Sequence, residues 1–387
     1  MDSPRPAPQR SAARPPALLD VDFTRAPFTV AWEITRACAL ACLHCRAEAQ
    51  PRRDPRELTT AEGLRLIDEV AAMGTPVLVI TGGDPLMRPD CFDFIAHARA
   101  RGLQVGFSPS ATGRLTRDAL RRARDAGTHR LHLSLDGATA ETHDRFRGVR
   151  GSFARTWQAI HAARDLGLPL QIGTTVSRVN VHELPVLADL VAASGAVMWS
   201  VFFLVPTGRA QQAQMLDAAE HERVMRWLAE LADSAPYDVR TTAGMQFRRI
   251  LAQRAAARGG PAHIAGAGFS FGSGSRPVRA VNDGDGYCFV SHIGDVCPSG
   301  FLQLSAGNVR QRPLAEIYRD APLFRRLRDR ALLNGRCRVC EYREVCGGSR
   351  ARAWAVTGDE LAEDPSCSWV PAAYASAANP AGEAGAG

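Results

Sequence analysis

The stretch Phe28-Thr-Val-Ala-Trp-Glu-Ile34-Thr-Arg-Ala-Cys38-Ala-Leu-Ala-Cys42-Leu-His-Cys45 runs from an apolar strand straight into three closely spaced cysteines. Three thiolates can hold three irons of a four-iron cluster and leave the fourth open, whereas a fully ligated cluster takes four cysteines. The next cysteine, Cys91, lies too far along the chain to complete the loop. An open iron can bind and reduce a small molecule, so the spacing points to chemistry. Structural zinc is the competing reading, although such sites favour CxxC pairs and four ligands. A disulfide would need an oxidising compartment, and the N-terminus shows no apolar export segment.

Outward from this loop, apolar runs at 28–34, 77–80, 103–107, 131–135, 170–176 and 197–205 read as buried strands rich in Val, Ile and Leu. Amphipathic stretches near 60–73, 89–101, 116–126, 152–165 and 182–193 read as helices, the first capped by Thr59 or Thr60 and stopped before Gly74. The alternation predicts a parallel sheet with helical crossovers, an α/β fold. Periodicity alone fits a partial barrel and a doubly wound open sheet equally well.

Composition narrows the partners. The 387 residues suffice for a large core and one smaller domain. No apolar run reaches membrane-spanning length, so no membrane role and a cytoplasmic location are expected. The formal charge is +7, but all 47 basic residues are arginine and they are scattered, which fits solvated helix faces and not a nucleic-acid surface. The Pro/Arg/Ala-rich residues 1–27 are expected to form a disordered leader, and the Ala/Gly/Pro-rich residues 372–387 a disordered tail.

The segment Ala31-Trp-Glu-Ile-Thr-Arg-Ala-Cys38, with His44 before the third cysteine, resembles the opening of radical S-adenosylmethionine (SAM) enzymes. Two further motifs follow later strands, where reactive loops of parallel barrels lie. Thr81-Gly82-Gly83-Asp84-Pro85 resembles the GGEP motif of that family, with Asp for Glu, though it is also good turn chemistry. Ser134-Leu-Asp136-Gly, continuing to His143-Asp-Arg-Phe-Arg147-Gly, resembles its SLDG and HD..RG signature. The resemblance implies a partial (β/α)6 barrel over residues 28–235. It further implies a 4Fe–4S cluster on Cys38, Cys42 and Cys45, the catalytic cysteines, and reductive cleavage of SAM to a 5′-deoxyadenosyl radical that abstracts hydrogen from substrate. By the same resemblance, SAM is held by Gly82, Gly83, Asp84, Pro85 and Ser134, with His44 near the adenine. Ser108 and Ser110, after the third strand, face the same end and are candidate contacts to SAM or substrate, Ser108 being counted with the cofactor-binding residues. Arg147 is a candidate partner for a ligand carboxylate or for a structural salt bridge, and by the resemblance the loop Val205-Pro-Thr-Gly-Arg209 brackets the adenine through its backbone.

A second cysteine set, Cys337-Arg-Val-Cys340, Cys346 and Cys367, resembles the SPASM/twitch extension that carries auxiliary iron–sulfur clusters. The resemblance implies a small C-terminal domain over residues 281–371, joined through a linker or lid at 236–280, with one auxiliary 4Fe–4S cluster on these four cysteines. A second auxiliary cluster would use Cys288 and Cys297 with ligands from elsewhere. Cys91 is expected to be a buried core residue. The block Cys340-Glu-Tyr-Arg-Glu-Val-Cys346-Gly-Gly-Ser-Arg resembles the tetrapyrrole branch of this group, which would place cysteine where Ser349 stands. Three functions stay open on sequence: oxidative decarboxylation or removal of a tetrapyrrole side chain, maturation of a ribosomally made peptide, or a cluster protein that only transfers electrons. The enzymatic readings imply an electron donor such as ferredoxin or flavodoxin.

Overall fold

The computed structural model describes residues 21–259 and 281–378. Strands β1 (Thr29–Glu33), β2 (Val77–Thr81), β3 (Gln104–Phe107), β4 (Arg130–Ser134), β5 (Leu170–Val176), β6 (Met198–Phe203) and β7 (Asp238–Thr242) pair in chain order, all parallel. Between them run helices α1 (Thr60–Ala72), α2 (Cys91–Ala100), α3 (Arg117–Asp125), α4 (Ala140–Arg147), α5 (Ser152–Asp165), α6 (Leu184–Ser194) and α7 (Ala218–Leu231). A doubly wound sheet reverses its strand order at a switch point. This one never does, so the sheet is singly wound and forms the half-barrel expected from the resemblance.

Alternation along each strand sets the two faces. Val30 and Trp32, Leu131 and Leu133, Trp199 and Val201, and Val239 point to the helices and form the main core. Each aliphatic side chain buried there contributes about 1.5–3 kcal/mol. The helices start where side chains can take orphan N–H groups. Thr59 caps α1 in a reciprocal box with Glu62, and Thr139 caps α4. Helix α4 ends at Gly148, whose φ of +68° suits glycine.

The C-terminal residues are stitched to the barrel edge. Strands β8 (Asn282–Asp283) and β9 (Gly286–Val290) follow α8 (Gln246–Ala257), and β9 lies parallel to β1 with Thr29 opposite Tyr287. Strand β10 (Val296–Cys297) returns antiparallel to β9. Helices α9 (Leu314–Asp320), α10 (Pro322–Arg328), α11 (Gly335–Val339), α12 (Arg350–Thr357) and α13 (Ala372–Ala378) complete the chain.

Three expectations change. Residues 21–27, assigned to the leader, pack down: Phe23 and Ala26 are buried, and Phe23 O accepts the Tyr318 hydroxyl at 2.8 Å. Residues 236–257, assigned to a linker, hold β7 and α8, whose Val239 and Ile250 are core residues. Residues 372–378 of the tail are helical, since an alanine-rich segment has high helix propensity. The remaining parts of the leader, linker and tail, residues 1–20, 260–280 and 379–387, lie outside the described residues.

Candidate active site

The cysteine loop leaves β1 and is seated on the loop after β2. Gly83 N donates to Thr35 O and Asp84 N to Ala37 O, both at 2.7 Å. A Cβ on Gly82 would meet Thr35 O at 2.7 Å, and one on Gly83 would meet Ala37 O and Arg36 O at 2.6 Å. The glycines are therefore required by close backbone approach, and their φ values are not left-handed. Replacing Gly83 by Ala should separate the two loops, because backbone carbonyls cannot swing away as side chains do. Overpacking of this kind costs about 1–3 kcal/mol, and here it falls on the cysteine loop. We expect a drop in melting temperature and a loss of SAM cleavage, measured by 5′-deoxyadenosine release.

Gly82, Gly83, Ser108, Ser110 and Ser134 line one cleft of about 540 Å³, together with Leu40, His143 and Arg147. The structure thus gathers the ends of β2, β3 and β4 beside the cysteine loop. Asp84 and Pro85 lie behind the cleft. The Asp84 carboxylate is fully buried and accepts Leu86 N at 3.1 Å, Ser110 N at 3.4 Å and Thr112 Oγ1 at 2.8 Å. Burial raises its pKa, and its work is to tie the β2 and β3 loops together. Ser110 extends the tie, donating to Gly83 O at 2.8 Å and lying 3.5 Å from Cys38 Sγ. Ser108 shares its hydroxyl with His132 Nδ1 at 2.8 Å.

The His143-to-Arg147 motif forms α4 and supports the cysteine loop from the other side. Ala41 N and Leu43 N donate to Arg147 O and Phe146 O at 3.2 and 3.1 Å. His44 stacks on Phe146 with ring centroids 4.3 Å apart, and its Nδ1 is buried without a hydrogen-bond partner. Burial depresses the His44 pKa to about 3, so the ring is neutral. Arg147 forms an ion pair with Asp136 and places Nη1 3.8 Å from Cys42 Sγ. Burial raises the Cys42 thiol pKa, and Arg147 works against that rise. Asp136 also accepts Thr175 N at 2.7 Å, while Asp136 N donates to His143 Nδ1 at 3.1 Å. Burial and Arg147 hold His143 neutral, with a pKa of about 4.

Two supports were not assigned from sequence. Arg209 donates from its N to Cys45 O at 3.0 Å, from Nε to Cys42 O at 3.0 Å and from Nη1 to Ala49 O at 3.3 Å. The signal was present in the Gly208-Arg209 pair: Gly208 has φ +63°, and a Cβ there would sit 2.5 Å from Cys45 O. Glu33, fully buried, receives Arg36 at 3.0 Å and Arg46 at 2.9 Å, with His292 at 3.2 Å. Burial would raise its pKa, yet Arg46, His292 and Arg36 hold it near 2. This ion cluster joins the cysteine loop to the β9–β10 turn.

Cys337, Cys340, Cys346 and Cys367 line a second cavity, of about 420 Å³, and all ten cysteines are free. Burial lifts the Cys340 thiol to a pKa of about 11 and those of Cys346 and Cys367 to about 12. Such thiols stay protonated unless a metal deprotonates them. Four cysteines lining one cavity supply the donor set that a fully ligated 4Fe–4S cluster takes. Asp364 organises the walls, accepting Gln246 Nε2, Ser349 N and Ser366 N at 2.8, 2.8 and 3.0 Å and pairing with Arg352 at 3.1 Å. Ser349 is the N-cap of α12, its hydroxyl accepting Arg352 N at 3.2 Å. Cys288 and Cys297 do not form a second ligand set. Cys297 pairs with Phe289, so it shares that face, while Cys288, one residue away, points into the main core. Cys91 is buried in the main core as expected.

Comparison with known proteins agrees with this geometry. Residues 32–191 match the Radical SAM superfamily, and residues 282–341 match SPASM, an iron–sulfur cluster-binding domain. The chain is 41% identical over 351 residues to an AdoMet-dependent heme synthase from Methanosarcina barkeri, covering 91% of this chain and 99% of the relative. It is 30% identical to a pre-heme d1 synthase from Dinoroseobacter shibae, covering 87% and 85% of the two chains. The solved structure of Streptococcus suis SuiB bound to its precursor peptide SuiA shares the fold at TM-score 0.69 and 15% identity, over 89% of this chain and 76% of that one. The chain therefore belongs to the radical SAM superfamily, as a SPASM-domain enzyme that uses SAM and 4Fe–4S clusters.

Proposed function

We propose that this enzyme oxidatively decarboxylates a carboxylate-bearing side chain of an iron tetrapyrrole. The observation that carries the reading is the end-to-end similarity to AdoMet-dependent heme synthase, which spans barrel and C-terminal domain alike. Cys38, Cys42 and Cys45 would hold the cluster that supplies the electron for SAM cleavage. Cys337, Cys340, Cys346 and Cys367 would hold a second cluster, a one-electron redox partner. The electron for SAM comes from an external carrier such as ferredoxin or flavodoxin.

The chain's own residues prepare the reaction. Gly82 and Gly83 line the cleft with their backbone, and Ser134 and Ser110 offer hydroxyls to it. His143, held neutral, adds a polar contact that carries no charge. Asp136 and Arg147 fix the loop beneath. Abstraction of one hydrogen atom from a propionate arm, loss of its carboxyl group as carbon dioxide and removal of one further electron leave a vinyl group.

Peptide maturation is the weaker reading: a mycofactocin maturase from Mycobacterium ulcerans is 31% identical to this chain, against 41% for the heme synthase. A pure electron-transfer protein would have no use for the cleft built by Gly82, Gly83 and Ser134. The test is anaerobic incubation of reconstituted protein with SAM, dithionite and iron coproporphyrin III. Mass spectrometry should show propionate arms converted to vinyl groups, with 5′-deoxyadenosine formed in step. Release of 5′-deoxyadenosine with the tetrapyrrole unchanged would sink the proposal.

A further inference from the structure

The inner face of the half-barrel is packed unevenly: Ala31, Phe289 and Cys297 form an apolar cluster at the β1–β9–β10 end, while strands β4 to β7 turn largely polar residues inward. Parallel barrels usually fill this space with layers of Val, Ile and Leu. Here the residues alternating with the helix-facing core include Arg130, His132, Gln171, Ser200 and Arg240. All but Ser200 keep partial exposure, Arg240 on the terminal strand β7 and the others on inner strands. This part of the wall is therefore polar and partly accessible, and its charged side chains are Arg130, Arg240 and Asp238.

Arg130 and Arg240 lie within electrostatic reach of each other, and Asp238 is the carboxylate that acts on both. Arg248, at the start of α8, adds a third guanidinium within reach of Arg240 and donates to Val281 O at 2.9 Å. Arg130 is poorly satisfied: Nη1 finds the Met198 sulfur, a weak acceptor, at 3.7 Å, and the buried Nε has no hydrogen-bond partner. His132 sits two residues along the same strand, and its buried Nε2 also lacks a partner. Its ring occupies space that only a glycine at 173 leaves, because a Cβ there would fall 2.1 Å from His132 Nε2. Unsatisfied buried polar groups destabilise a fold, and a ligand that completes these two offsets that.

Strand register links this wall to the SAM cleft. Ser134, which lines the cleft, is opposite Gly173, Gly173 is opposite Ser200, and Ser200 is opposite Arg240. Three strand spacings make about 14 Å along the sheet, the scale of a tetrapyrrole with its arms. Neither Arg130 nor Arg240 lines the cleft itself, so neither is spent on SAM.

We infer that Arg130 and Arg240, with Arg248 beside them and His132 adding a polar contact, form the wall that grips carboxylate arms of the substrate inside the barrel lumen. Guanidinium groups bind carboxylates in paired, charge-assisted hydrogen bonds, and anchoring one arm here would present another toward Ser134. The inference rests on the proposed tetrapyrrole reading and names the residues that select it.

The test is spectroscopic titration of reconstituted holoenzyme with iron coproporphyrin III, which has four propionates, and iron mesoporphyrin IX, which has two. Wild type should prefer the tetracarboxylate. Arg130→Gln and Arg240→Gln should each weaken its binding at least about tenfold and erase the preference, while Arg240→Lys keeps part of it. Iron content and melting temperature report whether the fold survives. If a Gln variant loses iron, Arg240→Lys decides: retained preference supports the wall, and lost preference with full iron overturns it. Wild-type binding with unchanged affinity in both Gln variants overturns this inference alone. No porphyrin binding by wild type overturns the tetrapyrrole reading and the wall with it.

Discussion

Replacing Cys42 by alanine should abolish 5′-deoxyadenosine release from SAM and lower the iron content from about eight to about four per chain. Cys42 is central to the loop: its carbonyl takes Arg209 Nε, and its sulfur faces Arg147. With one of three thiolates gone, the loop has no fourth cysteine to recruit, because Cys91 points into the core. The auxiliary cavity shares no residue with this loop, so its four irons should remain. The wild-type value is itself a test. About eight irons matches three plus four cysteine ligands, whereas about twelve would require a second auxiliary site that the opposed faces of Cys288 and Cys297 do not provide. Release persisting in the variant would remove Cys42 from the ligand set.

Replacing Arg147 by methionine should destabilise the protein by about 3–5 kcal/mol, the usual cost of leaving a buried partner charge unpaired. Asp136 is the charge left behind: its side chain is about 1% exposed, and Thr175 N alone cannot replace the guanidinium. The same change removes the positive charge beside Cys42 Sγ and loosens the end of α4 on which the loop leans. SAM cleavage should fall more than tenfold, about the rate effect of 1.4 kcal/mol. The double variant Arg147→Met, Asp136→Asn should recover much of the stability without restoring full cleavage, because the amide no longer needs a counter-charge. Denaturant unfolding and 5′-deoxyadenosine assays of the three variants check both parts. Equal stability of the single and double variants would show that the ion pair does not carry the effect.

Much of this was legible before the fold was known. Strands β1 to β6 were found as apolar runs, since a strand buried by helices on one face needs Val, Ile and Leu whatever its partners. Strand β7 was missed because its sequence, Asp-Val-Arg-Thr-Thr, has one core residue and a polar inner face. That polarity belongs to the lumen wall proposed above. Helix α4 carries little helical patterning in its sequence, because Phe146 and Arg147 hold the cysteine loop.

The candidate site divides in the same way. Gly82, Gly83, Ser108, Ser110 and Ser134 reach one cleft, as their positions after successive strands implied. Asp84 was assigned to the cofactor and instead binds the β2 and β3 loops to each other. A short acidic side chain after two glycines looks the same in sequence whichever way it turns.

By itself the sequence determined the elements and the ligand types: which runs are strands, and that three cysteines in one loop and four near the end can bind iron. The elements and the three-cysteine loop follow from local spacing and side-chain chemistry, and the four-cysteine set from the family resemblance. The tertiary structure alone decided that the sheet is singly wound, that Cys288 and Cys297 look away from each other, and that Cys337, Cys340, Cys346 and Cys367 surround one cavity. Strand order and side-chain facing depend on which distant segments pair. A one-residue change of register turns a cysteine from ligand to core without altering its neighbours in sequence.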